Sequence, residues 1–451
     1  MKEKRPNILF YFTDQQRWDT AGCYGQPLEV TPNLDELAKE GVVFEEAFTA
    51  QPVCGPCRAL FQTGRYPTEL GCFKNAVALP LDVKTVADYL NEAGYDTAYV
   101  GKWHLASDDK NHYETEAIPL ERRGGYRGFW RAVDVLEFTS HGYDGYVFDE
   151  NMQKREFLGY RVDGLTDFAL EYLDSYQKEN PFFLTISHIE PHHQNDRGHY
   201  EGPKGSKEEF KDFILPKDLE SLGGNAKEEY PDYLGCCKRL DDNLGRIIKK
   251  LKEKGLYENT IIIYASDHGS HFQTRNQDEH KNGIDDYKRS CHSACLRVPL
   301  VIEGPGYRGG KRVKELVSTA SLPKTFLAMA GIEEKGEMIG EDLKKVADGD
   351  VKGRVNEIFA QISESRVGRC VRTEKYLYSV YAPQKDGRMY ADSDIYEDDF
   401  LYDLEKDPYE LHNLIYDSGY EEVKKQMAEK LIYHMKLAKE KVPVIKHKNG
   451  R

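Results

Sequence analysis

Apolar residues along this chain fall into short continuous runs separated by stretches of helical periodicity. Residues 7–12 (NILFYF) form one run, ending at Thr13-Asp14; residues 181–187 (PFFLTIS), 260–265 (TIIIYA) and 298–302 (VPLVI) repeat the pattern. Continuous hydrophobicity, rather than alternation, suits strands buried on both faces of a parallel sheet. Residues 42–48 and 96–100 read as two more strands. Between them, residues 31–41 (TPNLDELAKEG) read as a helix with Thr31 as N-cap, Pro32 in the first turn and Gly41 as the stop. Residues 85–93 read as a helix closed by Gly94, and residues 233–252 place Leu240, Leu244, Ile247, Ile248 and Leu251 on one helical face.

Strands alternating with helices predict an α/β fold, with a large mixed, mainly parallel sheet flanked by helices. From Arg369 the pattern changes to short alternating runs, CVRTEKYLYSVYAP and DFLYDLEKDPYELHNL, followed by a helix over residues 421–441. This predicts a smaller C-terminal antiparallel sheet with a helix. The division is expected near residue 355, giving a catalytic domain over 1–355 and an α+β subdomain over 356–451.

At 451 residues the chain is long enough for one large and one smaller unit. A net charge of −14 argues against nucleic acid or an anionic membrane as partner. It would also repel an anionic substrate, so a site for an anion must be locally positive. The nine cysteines are irregularly spaced and contain no CxxC…CxxC zinc pattern, which fits free thiols in a reducing compartment. No secretory h-region and no run of membrane-spanning length is seen, so the expected location is cytoplasmic. The CGPC at residues 54–57 admits a thiol-oxidoreductase reading, but it does not open a short thioredoxin-like βαβ unit.

Two of the buried runs end in residues suited to a divalent cation, Asp14-Gln15 and Asp267-His268. Sheets of this class place their sites at such strand ends. The segment VCGPCRALFQTG (residues 53–64) closely resembles the sulfatase signature, Cys-x-Pro-x-Arg followed by Thr-Gly. Cys54, Pro56, Arg58, Thr63 and Gly64 all match, while Cys57 stands where Ser or Ala is usual. GKWHL (101–105), EPHH (190–193), SDHG (266–269), RVPLVIEGPG (297–306) and LYDLEKDPYELHNL (401–414) extend the resemblance over nearly the whole chain. The chain is thereby identified as a member of the formylglycine-dependent sulfatases of the alkaline-phosphatase-like superfamily. Its Asp-Gln and Asp-His turns look like those of choline-sulfatase-like and phosphonate-monoester-hydrolase-like relatives.

The resemblance implies oxidation of Cys54 to formylglycine by a formylglycine-generating maturation enzyme. The aldehyde hydrate would attack sulfur, form a covalent sulfo-enzyme intermediate and expel sulfate by re-forming the aldehyde. Asp14, Gln15, Asp267 and His268, with the modified Cys54, would hold one divalent cation, Ca²⁺ ahead of Mg²⁺ and Mn²⁺. Arg58 would orient the formylglycine, Lys102 would bind the hydrate and a substrate oxygen, and His104 would break the intermediate down. His192 and Lys288 would neutralise the leaving oxygen, with His193 and Lys281 as their respective alternatives and His188 as a structural residue. Asn75 and His193 would contact the substrate. The expected reaction is hydrolysis of a sulfate ester on a carbohydrate or small organic molecule; the alternative is a phosphonate monoester or phosphodiester hydrolase with the same machinery. Specificity is expected in the loops over residues 190–200, 275–287 and 382–399.

Overall fold

A computed structural model describes residues 5–448, apart from 178, 276–286 and 335. Eleven strands of the described chain form one sheet. They are β1 (Asn7–Thr13), β2 (Val42–Phe48), β3 (Asp96–Lys102), β4 (Trp130–Val133), β5 (Ser140–His141), β6 (Asp144–Asp149), β7 (Lys154–Leu158), β8 (Phe182–Ser187), β9 (Thr260–Ser266), β10 (Leu300–Glu303) and β11 (Lys311–Ser318). The order is β11-β2-β10-β9-β1-β8-β3-β4-β6-β5, with β7 on β6. The centre, β9-β1-β8-β3-β4, is parallel throughout. β10 runs antiparallel to both its neighbours.

β1 shows why its sequence is continuously apolar. Ile8, Phe10 and Phe12 pack on one face against Leu60, Phe61, Leu90 and Phe326. Leu9 and Tyr11 pack on the other against Leu37, Leu165, Leu240 and Leu244. The first face is covered by helices α2 (Cys54–Thr63), α3 (Val86–Glu92) and α6 (Leu322–Met329), the second by α1 (Pro32–Glu40), α4 (Arg161–Ser175) and α5 (Ala226–Glu253). Helices on both faces are what a parallel sheet requires.

Boundaries follow local chemistry. Thr85 caps α3 in a capping box with Asp88. Thr31 precedes α1 without a side-chain cap; its hydroxyl instead accepts from Gly22 N–H. α5 starts seven residues earlier than the periodicity suggests and contains Pro231. A proline there removes the bond to the carbonyl of Lys227, an exposed residue whose oxygen water can satisfy. The short hairpin strands β4–β7 and the edge strand β11 carry too little apolar pattern to be foreseen.

The second sheet has the order β12 (Ile358–Ile362), β13 (Gly368–Arg372), β14 (Tyr376–Tyr381), β15 (Ile395–Asp403) and β16 (Val444–Lys446). It is antiparallel except for β15-β16. β16 is reached only after helix α7 (Glu421–Leu437), and so long a connection permits a parallel return where a tight hairpin does not. α7 packs Met427, Leu431 and Met435 on Val371, Tyr378 and Val380.

Candidate active site

β1, β3, β8 and β9 end together at one sheet edge, and the ladder continues briefly past them. His188 N–H donates to the Phe12 carbonyl at 2.9 Å, and Asp267 N–H to the Thr13 carbonyl at 3.2 Å. This brings Asp14, Lys102, Ser187 and Asp267, distant in sequence, to one place. Cys54 enters at the first turn of α2, which ends at Gly64 with φ 65°. A Cβ at Gly64 would lie 2.6 Å from Met338, so the left-handed stop also admits a neighbouring segment.

Asp14, Cys54, Asp267 and His268 form a buried group whose ligand atoms all lie within 4.8 Å of one another. Asp14 divides its carboxylate. Oδ2 accepts from Lys102 Nζ at 2.7 Å and Arg58 Nη2 at 3.1 Å, while Oδ1 lies 3.4 Å from Cys54 Sγ. Asp267 Oδ1 accepts backbone N–H bonds from Gln15 at 3.0 Å and His268 at 2.8 Å. Its Oδ2 is buried without a hydrogen-bond partner among the described residues. His268 Nδ1 donates to the Gly269 carbonyl at 2.9 Å, which leaves the Nε2 lone pair directed at Cys54 Sγ, 3.4 Å away. The Gln15 amide donates to Tyr200 and Ser270, so its oxygen is the atom left over for coordination.

These donors fit a divalent cation. Two buried carboxylates share the site, and burial together with repulsion by Asp14 pushes the Asp267 carboxyl above the ordinary carboxylate range. Burial and Cys54 also push Asp14 upward, but Lys102, His192 and Arg58 outweigh them and hold it below the ordinary carboxylate range. An orphaned carboxylate oxygen, an oriented imidazole and an amide oxygen are the donor set of a hard or borderline cation.

Cys54 is ringed by positive groups. Lys288 Nζ donates to its sulfur at 3.1 Å and to His192 Nε2 at 2.7 Å. Burial raises the thiol pKa, yet Lys102, Lys288 and His268, with a hydrogen bond from His104, bring it well below the ordinary thiol value. His104 itself has φ 61° and a buried Nδ1 without a hydrogen-bond partner among the described residues. Arg58 Nη1 donates to the Lys102 carbonyl and to Ser187 Oγ, both at 2.7 Å, and Ser187 Oγ donates to that carbonyl at 2.9 Å. The locally positive site demanded by an acidic chain is therefore present.

The remaining candidates sit around this centre. Asn75 Oδ1 accepts from Gly55 N–H at 2.9 Å, at the first turn of α2. His193 stacks on Tyr287 at 4.1 Å between ring centroids. His188 is fully buried beside Tyr11, and Lys281 lies outside the described residues. Cys57 is a buried free thiol donating to the Asp267 carbonyl at 3.3 Å; burial and the Asp267 charge push its pKa well up. Sequence reasoning missed Ser187, Asp134 and Glu137. Ser187 ends a buried strand and was findable on that ground; the other two carry no motif. A cavity of about 500 Å³ lined by Trp18, Tyr24, Lys217, Arg297 and Tyr409 contains none of the candidate residues.

The family model described as Sulfatase matches residues 6–332, and the C-terminal model of N-sulphoglucosamine sulphohydrolase matches residues 282–437. This chain belongs to the sulfatase family. Among its relatives is the uncharacterized sulfatase YidJ of Escherichia coli, 30% identical over 96% of this chain and 87% of that protein. An N-acetylglucosamine-6-O-sulfatase of Bacteroides thetaiotaomicron is 26% identical over 98% of this chain and 88% of that protein. A Bacteroides fragilis protein solved under the name YidJ superposes with TM-score 0.81 at 25% identity, covering 98% and 97% of the two chains. The sulfatase is thus a sulfuric ester hydrolase of the alkaline-phosphatase-like fold. Its family implies a bound metal ion and a formylglycine. No helix among its described residues is long and apolar enough to cross a membrane.

Proposed function

We propose that this sulfatase hydrolyses the sulfate ester of a saccharide, using a formylglycine made from Cys54 by a maturation enzyme. The observation that carries the reading is the meeting of Cys54 with Lys102, Lys288, His104 and His192 around the Asp14–Asp267–His268 group. The carbohydrate class rests on the N-acetylglucosamine-6-O-sulfatase relative. Asp14, Gln15, Asp267 and His268 would hold the cation, taken as Ca²⁺ with Mg²⁺ and Mn²⁺ as alternatives, all three suited to a mainly oxygen donor set. The cation would acidify the formylglycine hydroxyl and offset charge on the sulfate.

The protein's own groups supply the rest. Arg58 and Lys102 hold Asp14 ionised and fix its orientation. Lys102 and Lys288 are charge partners for sulfate oxygens. Lys288 donates to His192 Nε2, so the pair can pass a proton toward the departing alcohol oxygen. His104, whose side chain hydrogen-bonds Cys54, is the base for release. Asn75 and His193 are assigned to substrate contacts.

The Asp-Gln and Asp-His metal turns keep one alternative in view, a phosphonate monoester or phosphodiester hydrolase. The deciding experiment is peptide mass spectrometry across Cys54 after co-expression with a formylglycine-generating enzyme, followed by kinetics on aryl sulfate and aryl phosphonate esters. A loss of about 18 Da, the change from thiol to aldehyde, and faster sulfate cleavage are expected. An unmodified Cys54 beside a converted control sequence would remove the nucleophile, and faster phosphonate cleavage would favour the alternative.

A further inference from the structure

Glu137 stands in the short helical turn Leu136–Thr139 that follows β4. β4 runs parallel to β3, so this turn opens at the same sheet edge as the catalytic strands. The side chain is 13% exposed, and its Oε2 lies 3.5 Å from His192 Nδ1. That oxygen is buried and has no hydrogen-bond partner among the described residues. Among the described residues the other, Oε1, receives only a long contact from Asn195 Nδ2 at 3.4 Å.

The carboxylate is not needed to orient His192. Nδ1 of that ring already donates to the His193 carbonyl at 2.6 Å, and Nε2 accepts from Lys288 at 2.7 Å. Nor do the nearby cations satisfy Glu137: Lys102 is committed to Asp14, and Lys288 to Cys54 and His192. Burial raises the Glu137 pKa, yet His192, Lys102, Lys288 and His104 outweigh it and hold the group ionised.

An ionised carboxylate beside an anion site repels sulfate. Its orphaned oxygen also carries an uncompensated desolvation cost until a donor reaches it. Sulfate carries no proton to donate, so the donor must belong to the alcohol part of the substrate. Sugars present hydroxyl or amino groups next to a sulfated carbon, whereas simple aryl sulfates do not. The backbone carbonyl of Glu137 accepts from Gln194, in the polar loop 190–200 expected to carry specificity.

We propose that Glu137 is a specificity-determining carboxylate that accepts a hydrogen bond from a hydroxyl or N–H group beside the sulfate ester of a saccharide. The inference rests on the saccharide sulfatase reading and names the group by which the site recognises it.

The test uses matured wild type, Glu137→Gln and Glu137→Ala. Each is assayed for sulfate release from hexoses and N-acetylhexosamines monosulfated at each ring hydroxyl, and from 4-nitrophenyl sulfate. For the best sugar, kcat/KM is expected to fall at least about 30-fold in the Gln variant, mostly through KM, and about tenfold more than for the aryl ester. An equal fall on both substrate classes would overturn the inference, since it would mark a role in the fold or in positioning His192. The nearly isosteric Gln variant and its melting temperature separate those two. Unchanged sugar kinetics would overturn it as well. A wild type active on the aryl ester but on no sugar would overturn the inference too, by removing the donor that Glu137 would accept from. Activity on neither ester would instead overturn the sulfatase reading beneath it.

Discussion

At the residue scale the candidate site was legible wherever a residue sits in a motif of fixed spacing. Cys54 and Arg58 share one turn and its neighbour in α2, and Lys102 and His104 flank Trp103. Spacing of this kind reports local geometry, which a chain segment determines by itself. Glu137 and Ser187 were not read as site residues, because they act only through what a distant segment brings to them. His188 is a different case. Both its ring nitrogens are buried without hydrogen-bond partners among the described residues, and desolvation lowers its pKa to about 3. The folded chain keeps it neutral while the unfolded chain takes up a proton near the ordinary histidine value of about 6.5. The folded-state pKa is the lower one, so its effect on stability is absent above about pH 6.5 and grows as pH falls. At about pH 5 the folded state should lose about 2 kcal/mol from this one residue. Denaturant melts at neutral pH and at about pH 5 should therefore show a shallower acid loss in His188→Phe than in wild type. Identical pH slopes would show that His188 titrates alike in the folded and unfolded chain.

Among the elements, the loop after β3 matters most, because it carries His104 at φ 61°. Its geometry is imposed by Asp134. That carboxylate accepts N–H bonds from Leu105 at 2.7 Å, Ala106 at 2.9 Å and Ser107 at 2.8 Å, and its backbone carbonyl accepts from His104 at 2.8 Å. Replacing Asp134 by Ala strands three buried donors, each worth about 1–3 kcal/mol. The expected outcome is a loss of at least about 3 kcal/mol of stability and a fall in kcat larger than the change in KM, with Asp134→Asn intermediate. Chemical denaturation and steady-state kinetics check both, and a stable, fully active Ala variant would contradict the account. Gly101 meets the same strand end from the other side: its φ is 106°, and a Cβ there would fall 1.9 Å from the Ser187 carbonyl. Close approach of β3 and β8 is what lets Arg58 reach Ser187 and the Lys102 carbonyl together. The strands themselves were readable as buried runs, while this approach was not.

Across the whole molecule, the two sheets are joined by one apolar cluster. Phe48, Leu296 and Leu316 from the larger sheet side pack with Ile358, Ile362, Leu377 and Phe400. Glu364 reaches the site from beyond β12, accepting from Asn75 N–H and from Arg289 Nε at 2.7 Å. We propose that residues 356–451 are a subdomain in topology but not in stability. A chain cut after residue 355 should then be insoluble or aggregated on size-exclusion chromatography, and a monodisperse, cooperatively melting fragment would show that the larger unit folds alone. By itself the sequence determined the strand–helix alternation, the burial of the central strands and the signature spacing around Cys54. Each of these depends on neighbours within a few residues: periodicity, capping and motif spacing. Only the tertiary structure decided that β10 runs against its neighbours, that Asp14 is shared between Arg58 and Lys102, and that Glu137 faces His192 with an unpaired oxygen. Those outcomes depend on which strand ends meet across the sheet edge, where distance in space is unrelated to distance along the chain.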